Sequence, residues 1–284
     1  MIREQGAGDR AAVEARLAAH LDQTMFPLTS LRTHGLVRGR FASPHDHAIR
    51  LWRIGDSLIA VTRAGMILPL LVGAPDLAGL PAALMGLKVT GAVGPAASAR
   101  PVIAALGLTR LATATDRDEP GFALDLARLA QPDLPGTILR PIVPGDLPLV
   151  TGWRETYIGE VLGSTGPDAR AKAEADIADY LTRDSHRLLL HNGKPVAMTG
   201  FNASQPEIVQ IGGVYTPAHL RGRGYARRAV ALHLSEARAK GVSRAVLFAA
   251  SDAAAQAYRA LGFQPTAPFT LFLLSSPTHI CACP

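Results

Sequence analysis

The stretch that decides the fold of this chain is VYTPAHLRGRGYA, residues 214–226. It joins a predicted strand, 208–216, to a predicted helix, about 224–240. Glycines at 222 and 224 let the backbone approach a ligand closely, because glycine has no Cβ. The N–H groups of the first helical turn and the helix dipole favour an anion, and the flanking arginines suit a phosphate. The stretch therefore predicts an anion-binding turn for a phosphorylated ligand.

The helix after this turn has one apolar stripe at helical spacing, formed by Ala226, Ala229, Val230, Leu234 and Ala237. Its small alanines allow close packing on a sheet, and the strand–helix–strand unit predicts a right-handed parallel crossover. Two other phosphate loops are excluded by their spacing. No Gly-Lys-Ser/Thr follows the glycines, and the Gly-x-Gly-x-x-Gly pattern is absent.

A second motif lies downstream, Ser251-x-x-Ala254-x-x-x-Tyr258-x-x-x-Gly262-Phe263. The predicted order of elements over about 137–275 is βααβββαβαβ, with a strong Asn-Gly hairpin signal at 192–193. In this order and spacing, Arg221-x-x-Gly224-x-Ala226 and the second motif resemble the two acyl-CoA motifs of the GNAT superfamily of N-acetyltransferases. The resemblance implies an α/β (α+β) fold in which a mixed sheet is flanked by helices.

The resemblance also implies a role for each matching position. Backbone groups of Val214 and Thr216 would pair with the pantetheine arm of acetyl-CoA, the co-substrate, and the Val214 amide would polarise the thioester carbonyl. Tyr258 matches the tyrosine that protonates the departing thiolate. Around the pyrophosphate we expect the amides of Gly222, Arg223, Gly224, Tyr225 and Ala226, with Arg221 at the entrance of the loop. The other residues expected at the cofactor are Tyr215, Arg227 and Ser251.

Two positions depart from the family pattern. Ser251 stands where the family usually has Asn, so helix N-capping is an alternative to a cofactor contact. Gln210 stands where many members have a glutamate as general base, and Glu207, three residues earlier, is the nearest candidate to act through water. Tyr258 has an alternative as well, because it shares a helical stripe with Ala254 and Leu261 and could fill the core.

These features predict an acyltransferase that moves an acetyl or other short acyl group to an amine of a small molecule or peptide. The amine would attack the thioester directly in a ternary complex, with orientation and carbonyl polarisation as the main catalytic effects. The alternative is a non-catalytic acyl-CoA sensor. No metal is expected, and the His45-Asp46-His47 cluster is interpreted as a solvated loop. A nucleic-acid partner is disfavoured because aromatic residues are few and the arginines gather at one loop.

Composition supports a folded chain. Of 284 residues, 48% are hydrophobic and 18% charged, and 29 Lys+Arg against 23 Asp+Glu give a net charge of +6, which excludes a disordered or low-complexity protein. The most apolar run, 66–72, is too short for a membrane span, and no signal peptide is visible. Cys281 and Cys283 are interpreted as reduced thiols. We therefore expect a cytoplasmic protein without a membrane partner.

The proline-rich segment 131–136 is typical of a linker and divides the chain into two predicted domains, 1–130 and 137–284. The first is a smaller α/β domain without a cofactor motif, and a diverged copy of the GNAT-like fold is one interpretation of it. Its sequence predicts helices over 9–36 and 75–85 and a short strand over 122–126. Its 91–95 stretch leads from a strand into a helix but carries no arginine. We expect this half to shape the acceptor site or a homodimer contact rather than to bind CoA.

Overall fold

The structure, a computed structural model, describes residues 1–41 and 48–281. The chain forms two compact units, the first made of 1–119 and 267–284 and the second of 120–266. The predicted linker, 131–136, lies within the second unit by its contacts. The two domains predicted from the sequence, 1–130 and 137–284, stay predictions. The 45–47 cluster and Cys283 lie outside the described residues, whereas Cys281 is exposed.

Strands and helices alternate along both units. The strands, in chain order, are β1 (Ile2–Glu4), β2 (Arg50–Ile54), β3 (Ser57–Val61), β4 (Met66–Leu70), β5 (Lys88–Pro95), β6 (Thr113–Asp125), β7 (Thr137–Pro141), β8 (His186–His191), β9 (Lys194–Ser204), β10 (Ile208–Tyr215), β11 (Arg244–Phe248) and β12 (Gln264–His279). The α-helices are α1 (Arg10–Ala18), α2 (Leu21–His34), α3 (Leu80–Ala83), α4 (Ala96–Ala105), α5 (Leu147–Tyr157), α6 (Pro167–Thr182), α7 (Tyr225–Ala239) and α8 (Asp252–Arg259).

Each unit contains a mixed sheet. The hydrogen-bonded order is β1, β2, β3, β4, β5, β12 in the first unit and β6, β11, β10, β9, β8, β7 in the second. Neighbouring strands are antiparallel except for β4 with β5 and β10 with β11, which are parallel. The α/β class with a mixed sheet flanked by helices, expected for the C-terminal half, is confirmed.

The two units repeat one order of elements, a strand, two helices, three strands, a helix, a strand and a helix. The strand that follows this series is exchanged. β6 follows α4 in the chain, but its residues 121–125 pair with β11. β12 follows α8, but its residues 269–279 pair with β5. The sheet of the first unit is therefore completed by β12, which follows α8 of the second unit in the chain. The sheet of the second unit is completed by β6, which follows α4 of the first unit.

In the second unit, helices cover both faces of the sheet. On one face, Val209 and Ile211 of β10 pack with Val230 and Leu234 of α7 in a single apolar cluster. On the other face, helices α5 and α6 pack against residues of the strands. This apolar cluster consists of Ile142, Val150, Ile177, Tyr180, Leu188, Met198 and Tyr215. A strict two-residue period would place Val209, Ile211 and Tyr215 on the same face, so the change of face at Tyr215 reflects the register shift between Gly212 and Tyr215.

β10 is irregular near its end. Its parallel register with β11 runs from Ile208–Arg244 to Gln210–Val246, and its residues 211–215 continue beyond the last register pair. Its register with β9 shifts between Gly212 and Tyr215. Gly213 lies at this bulge with φ +63°, in the left-handed region that favours glycine. The bulge therefore lies inside β10, and pairing with β9 resumes at Tyr215, next to the 216–224 loop.

Several predicted elements have different bounds in the structure. The helix predicted over 9–36 is two helices, and the Thr24 hydroxyl donates to the Leu17 carbonyl across the break, 2.6 Å away. The helix predicted over 75–85 is helical only in α3. Strand β6 starts at Thr113, well before the predicted 122–126, because backbone pairing extends through its charged part. No helix among the described residues is both long and apolar enough to cross a bilayer.

We predict that a fragment of residues 120–266 unfolds cooperatively in urea, whereas a fragment of residues 137–266 does not. The shorter fragment lacks β6 and the buried Phe122, Leu124 and Leu126, which pack with α7 and β11. Burial of side chains of this size is worth about 2 kcal/mol each, which is a large part of a typical domain stability. Circular dichroism against urea concentration measures this. Cooperative unfolding of both fragments would contradict it and would favour the boundary predicted from sequence.

Candidate functional site

The 216–224 loop connects β10 to α7 through a single turn of 3₁₀-helix, Ala218–Leu220. Gly222 and Gly224 have φ of +77° and +80°, which other L-residues adopt only with strain. Gly224 is the N-cap of α7, and no side chain caps the first turn. The first N–H groups of this 15-residue helix are therefore not satisfied by a capping side chain, as an anion site at a helix N-terminus requires.

A cavity of about 560 Å³ lies at this helix start. One wall is the end of β10, the loop and the first turn of α7, and the other wall is α8. The lining residues are Val214, Thr216, Leu220, Arg221, Gly222, Gly224, Tyr225, Ala226, Arg227, Ala253, Ala254, Gln256, Ala257, Tyr258 and Ala260. The structure thus brings residues of both sequence motifs to one cavity.

Two buried polar atoms of this lining have no hydrogen-bond partner among the described residues. They are the Nε of Arg227 and the Oγ1 of Thr216. A buried polar atom without a partner costs free energy, of the order of 1–3 kcal/mol and more for a charged group. Both atoms belong to residues that line the cavity. The cavity therefore presents a cationic donor and a hydroxyl that a polar ligand could satisfy.

The other arginines of the loop are used differently. Arg221 donates from Nε to the Thr216 carbonyl, 3.0 Å away, and from Nη2 to Glu160 Oε2, 2.7 Å away. Arg223 is exposed, and its Nη2 makes a long hydrogen bond of 3.5 Å to the His219 carbonyl. Arg221 therefore braces the loop against the segment that follows α5, in addition to lining the cavity.

Arg228 of α7 is not among the residues that line the cavity. It is not simply a solvated side chain, however. Its Nη1 donates to the Pro132 carbonyl at 2.9 Å, and its Nε donates to the Thr137 hydroxyl at 3.2 Å. Arg228 therefore fixes the proline-rich segment onto α7.

Tyr258 lies on α8, half-buried, and lines the cavity. Its ring meets Phe263 edge-on, with 5.8 Å between the ring centroids, and it packs against the apolar cluster beneath α7 and α8. The two interpretations of Tyr258, core residue and cavity residue, are thus both compatible with its position. The ring is held by the core while the residue borders the cavity.

Four predicted residues do not line the cavity, and the exposed Arg223 described above is one of them. Tyr215 is buried on the opposite face of β10, where its ring lies 5.9 Å from that of Trp153. Ser251 is the N-cap of α8, and its Oγ accepts a hydrogen bond from the Ala254 amide. Glu207 is exposed in the turn before β10, eight residues from Tyr215, and at about 3.3 Å per residue that places it some 25 Å from the loop.

Glu207 lies far from the cavity along β10, and its role as a base stays a prediction. Its carbonyl accepts from the amides of Ser243 and Arg244, so its backbone is fixed at the far end of the strand. Gln210 is buried in mid-strand. The cavity residues that sequence reasoning missed are Leu220, three positions of α8, Ala253, Gln256 and Ala257, and the C-cap residue of α8, Ala260. The last four are linked by three- and four-residue spacings, so they share one face of the helix.

The first unit has a corresponding loop, 71–79, between β4 and α3. By element order this loop, and not the 91–95 stretch considered above, is the counterpart of 216–224, and both contain nine residues. The amides of Leu71 and Val72 donate to the hydroxyls of Ser98 and Ser57, each at 2.9 Å. The Asp76 carboxylate accepts from the Ala78 amide in the same loop. Side chains of the first unit thus satisfy amides of its own loop.

A cavity of about 490 Å³ also borders the 71–79 loop, but its chemistry differs. Its lining includes the carboxylates of Asp56 and Asp76, and among the described residues that line it there is no arginine or lysine. The 71–79 sequence, LVGAPDLAG, has no basic residue either. This cavity is therefore unsuited to a phosphate. In the described parts of the chain, no group of three His, Cys, Asp or Glu side chains is arranged to hold a metal ion.

Comparison with known proteins agrees with this geometry. Residues 152–263 match the family model described as "Acetyltransferase (GNAT) family". These residues form a GNAT domain. The match contains both sequence motifs and all of the cavity lining. Among curated proteins, no sequence matches the chain.

Solved structures resemble the chain over nearly its whole length. They include a GCN5-related N-acetyltransferase from Kribbella flavida, with a TM-score of 0.57 and 17% identity over 93% of this chain and 95% of that one. A GNAT-family acetyltransferase from Colwellia psychrerythraea has a TM-score of 0.55 and 15% identity over 97% and 100%. A tandem GNAT protein from the clavulanic acid biosynthesis pathway has a TM-score of 0.56 and 16% identity over 100% and 99%.

At these identities the likeness concerns the fold. It extends to the N-terminal unit, whose element order repeats that of the GNAT domain. The interpretation of the N-terminal half as a diverged copy of the GNAT-like fold is confirmed at this level. The two copies differ at the loop, where the C-terminal one has two arginines and an uncapped helix and the N-terminal one has serine and aspartate partners.

We predict that Ser251→Ala lowers the free energy of unfolding by about 1 kcal/mol, because it removes the N-cap of α8. Ser251→Asn, the residue usual in the family, restores a capping oxygen and should unfold at the wild-type urea concentration. Chemical denaturation of the three proteins measures the difference. Equal midpoints for alanine and wild type would contradict the capping role.

Proposed function

We propose that this chain is an acyl-CoA-dependent N-acetyltransferase that binds acetyl-CoA at the 216–224 loop. An amine of a small molecule or peptide would attack the thioester directly while both substrates are bound. Membership of residues 152–263 in the GNAT family supports acyl transfer as the general reaction. The observation that carries the proposal is the cavity, where an uncapped helix start adjoins the buried, unpartnered Nε of Arg227.

The residues present suit the charged end of acetyl-CoA. Its pyrophosphate would accept hydrogen bonds from the amides at 222–226, and the α7 dipole favours its negative charge. Arg227 would add a charge-assisted bond from Nε. Arg221 and Arg223 would contribute mainly charge, because Arg221 is engaged with Thr216 and Glu160. Tyr215 and Ser251 would act through packing and capping rather than through direct side-chain contact.

The acyl end would lie along the last residues of β10. These residues continue beyond the register with β11, so an extended pantetheine arm could pair with Val214 and Thr216 as a strand would. The Val214 amide would then donate to the thioester carbonyl oxygen. A donor at this position stabilises the negative charge that develops on the oxygen during attack.

The bonding changes balance without a metal or redox group. The amine nitrogen forms a bond to the carbonyl carbon, the carbon–sulfur bond breaks, and the sulfur leaves with the electron pair. Tyr258, which borders the cavity, would donate its phenolic proton to that sulfur. A tyrosine phenol is ordinarily protonated at neutral pH and therefore has a proton to donate. The proton lost from the amine passes to solvent.

We predict that wild type binds one acetyl-CoA per chain and that Gly224→Glu raises Kd at least tenfold. Near a protein surface, two like charges 4 Å apart repel each other by about 4 kcal/mol. A third of this energy is enough to raise Kd about tenfold. The matched control is Gly193→Glu, a glycine of nearly the same φ, +76°, in a hairpin turn with open space around it. Isothermal titration calorimetry measures Kd and stoichiometry.

The control variant should bind acetyl-CoA with the Kd of wild type. It carries the same added charge and the same backbone strain as Gly224→Glu, but residue 193 does not line the cavity. No saturable binding by wild type would refute the proposal. Two equivalent sites would contradict the expectation that the serine-filled loop of the first unit binds no CoA.

We also predict that Tyr258→Phe lowers kcat about 100-fold or more while Kd for acetyl-CoA stays within about twofold. The change removes the hydroxyl but keeps the ring against Phe263, and a general acid typically contributes 10²–10⁴. Thiol release with a panel of small amines and peptides first identifies an acceptor, and the same assay then gives kcat. A phenylalanine variant with wild-type kcat would leave Tyr258 as a packing residue. Binding without turnover of any amine would favour an acyl-CoA sensor.

A further inference from the structure

His186, the first residue of β8, is fixed inside the GNAT domain. Its side chain is 1% exposed. Its ring stacks on Tyr180 of α6 with 3.4 Å between the ring centroids and 9° between the planes. Its Nδ1 lies 2.9 Å from the Ser185 hydroxyl oxygen. The imidazole is thus held from one face and from one end.

The free end of the ring extends over two neighbouring strands at positions that have no side chain. Gly200 of β9 is the register partner of His186, and a Cβ there would overlap the imidazole. A Cβ on Gly213 of β10 would lie 2.5 Å from the His186 Nε2, closer than Cβ contacts in proteins. Glycine at both positions is therefore what lets the ring span from β8 to β10.

Gly213 is the residue of the β10 bulge. Its φ of +63° and the register shift before Tyr215 turn the backbone immediately before Val214, which lines the cavity. The edge of the imidazole thus packs against the backbone of Gly213, and the torsion angles of Gly213 determine the direction of the Val214 amide. Packing of this kind, in a close-packed interior, restricts the backbone torsions of the residue it contacts.

The imidazole is suited to this contact because it is uncharged. Burial lowers the pKa of His186 well below its ordinary value, with a further contribution from nearby His233 and the arginines around it. Its Nε2 has no hydrogen-bond partner among the described residues, so no other side chain competes for the edge of the ring.

We propose that His186 is a positioning residue whose imidazole holds the Gly213 bulge and so directs the Val214 amide into the cavity. The inference rests on the proposed function, in which that amide donates to the thioester carbonyl. His186 is not itself expected to touch the substrate, because it does not line the cavity. Its effect should therefore appear in the polarisation of the carbonyl rather than in the binding of the CoA portion.

The test uses the full chain with acetyl-CoA carrying ¹³C at the carbonyl carbon. Difference infrared spectroscopy gives the stretching frequency of the bound thioester carbonyl, which falls when the oxygen accepts a hydrogen bond. In wild type we expect a frequency below that of free acetyl-CoA. In His186→Ala we expect it to return at least halfway to the free value, while Kd for CoA itself stays within about threefold. His186→Leu, which refills the volume without the planar edge, should behave in the same way and serves if the alanine variant does not fold.

A double-mutant cycle tests the contact itself. Gly213→Ala places a methyl group against Nε2 and should shift the carbonyl frequency in the same direction. Because His186→Ala removes the atom it would meet, the shift in the double variant should be clearly smaller than the sum of the two single shifts. Additive shifts would overturn the proposed contact.

The matched control is His233→Ala. His233 is another buried histidine of the same unit, 3% exposed and stacked on Phe201 at 3.9 Å, and burial lowers its pKa to about 3. It packs with α7 on the opposite face of the sheet, so this variant should keep the wild-type carbonyl frequency. An unchanged frequency in His186→Ala, or an equal shift in His233→Ala, would overturn the inference and leave the proposed function standing. Failure of wild type to bind acetyl-CoA would instead refute the proposed function.

Discussion

A β-strand must satisfy its backbone amides and carbonyls, and the end of β10 lies beyond the register of the neighbouring parallel strand. The register with β11 ends at Gln210, five residues before the strand does. Buried peptide groups are nearly always hydrogen-bonded, so residues 211–215 border a place where another extended chain can pair. The cavity, the uncapped start of α7 and α8 all meet at this place. The cavity of the GNAT domain therefore lies where the pairing between β10 and β11 ends.

The N-terminal unit shows what the same fold does when that place is filled from within. The first two amides after β4 are bonded to Ser98 and Ser57, and an amide of its 71–79 loop is bonded to Asp76. The helix after the loop, α3, has four residues, too few for an appreciable dipole. Two hydroxyls, one carboxylate and a shortened helix thus remove the donors that the C-terminal copy keeps. The two units thus share the order of their elements and differ in the chemistry of a few loop positions.

More of the candidate site than of the strand boundaries could be predicted from the sequence. The glycines and arginines of 214–226 have specific backbone and charge consequences over a few residues, so they predict the loop, α7 and the α8 wall well. The range of β6 could not be predicted, because its charged part, Thr113–Glu119, lacks an apolar alternation and is stabilised by pairing. The distance between Glu207 and the cavity could not be predicted from the sequence either. Counting residues gave its distance from Arg221 along the chain, but a strand carries that distance straight away from the loop.

Without Glu207, the described residues that line the cavity include cations, a phenol and backbone donors but no carboxylate or histidine. Such a lining stabilises negative charge on a carbonyl oxygen and on a departing thiolate, and it supplies no acceptor for a proton. An ammonium ion entering this cavity would also meet the positive field of Arg227. In the proposed reaction, these electrostatics favour an acceptor that arrives as a neutral amine, already nucleophilic, and the chain's contribution is then concentrated on the direction of two donors. That makes the rigidity of the β10 bulge, rather than the basicity of any side chain, the property on which catalysis would depend.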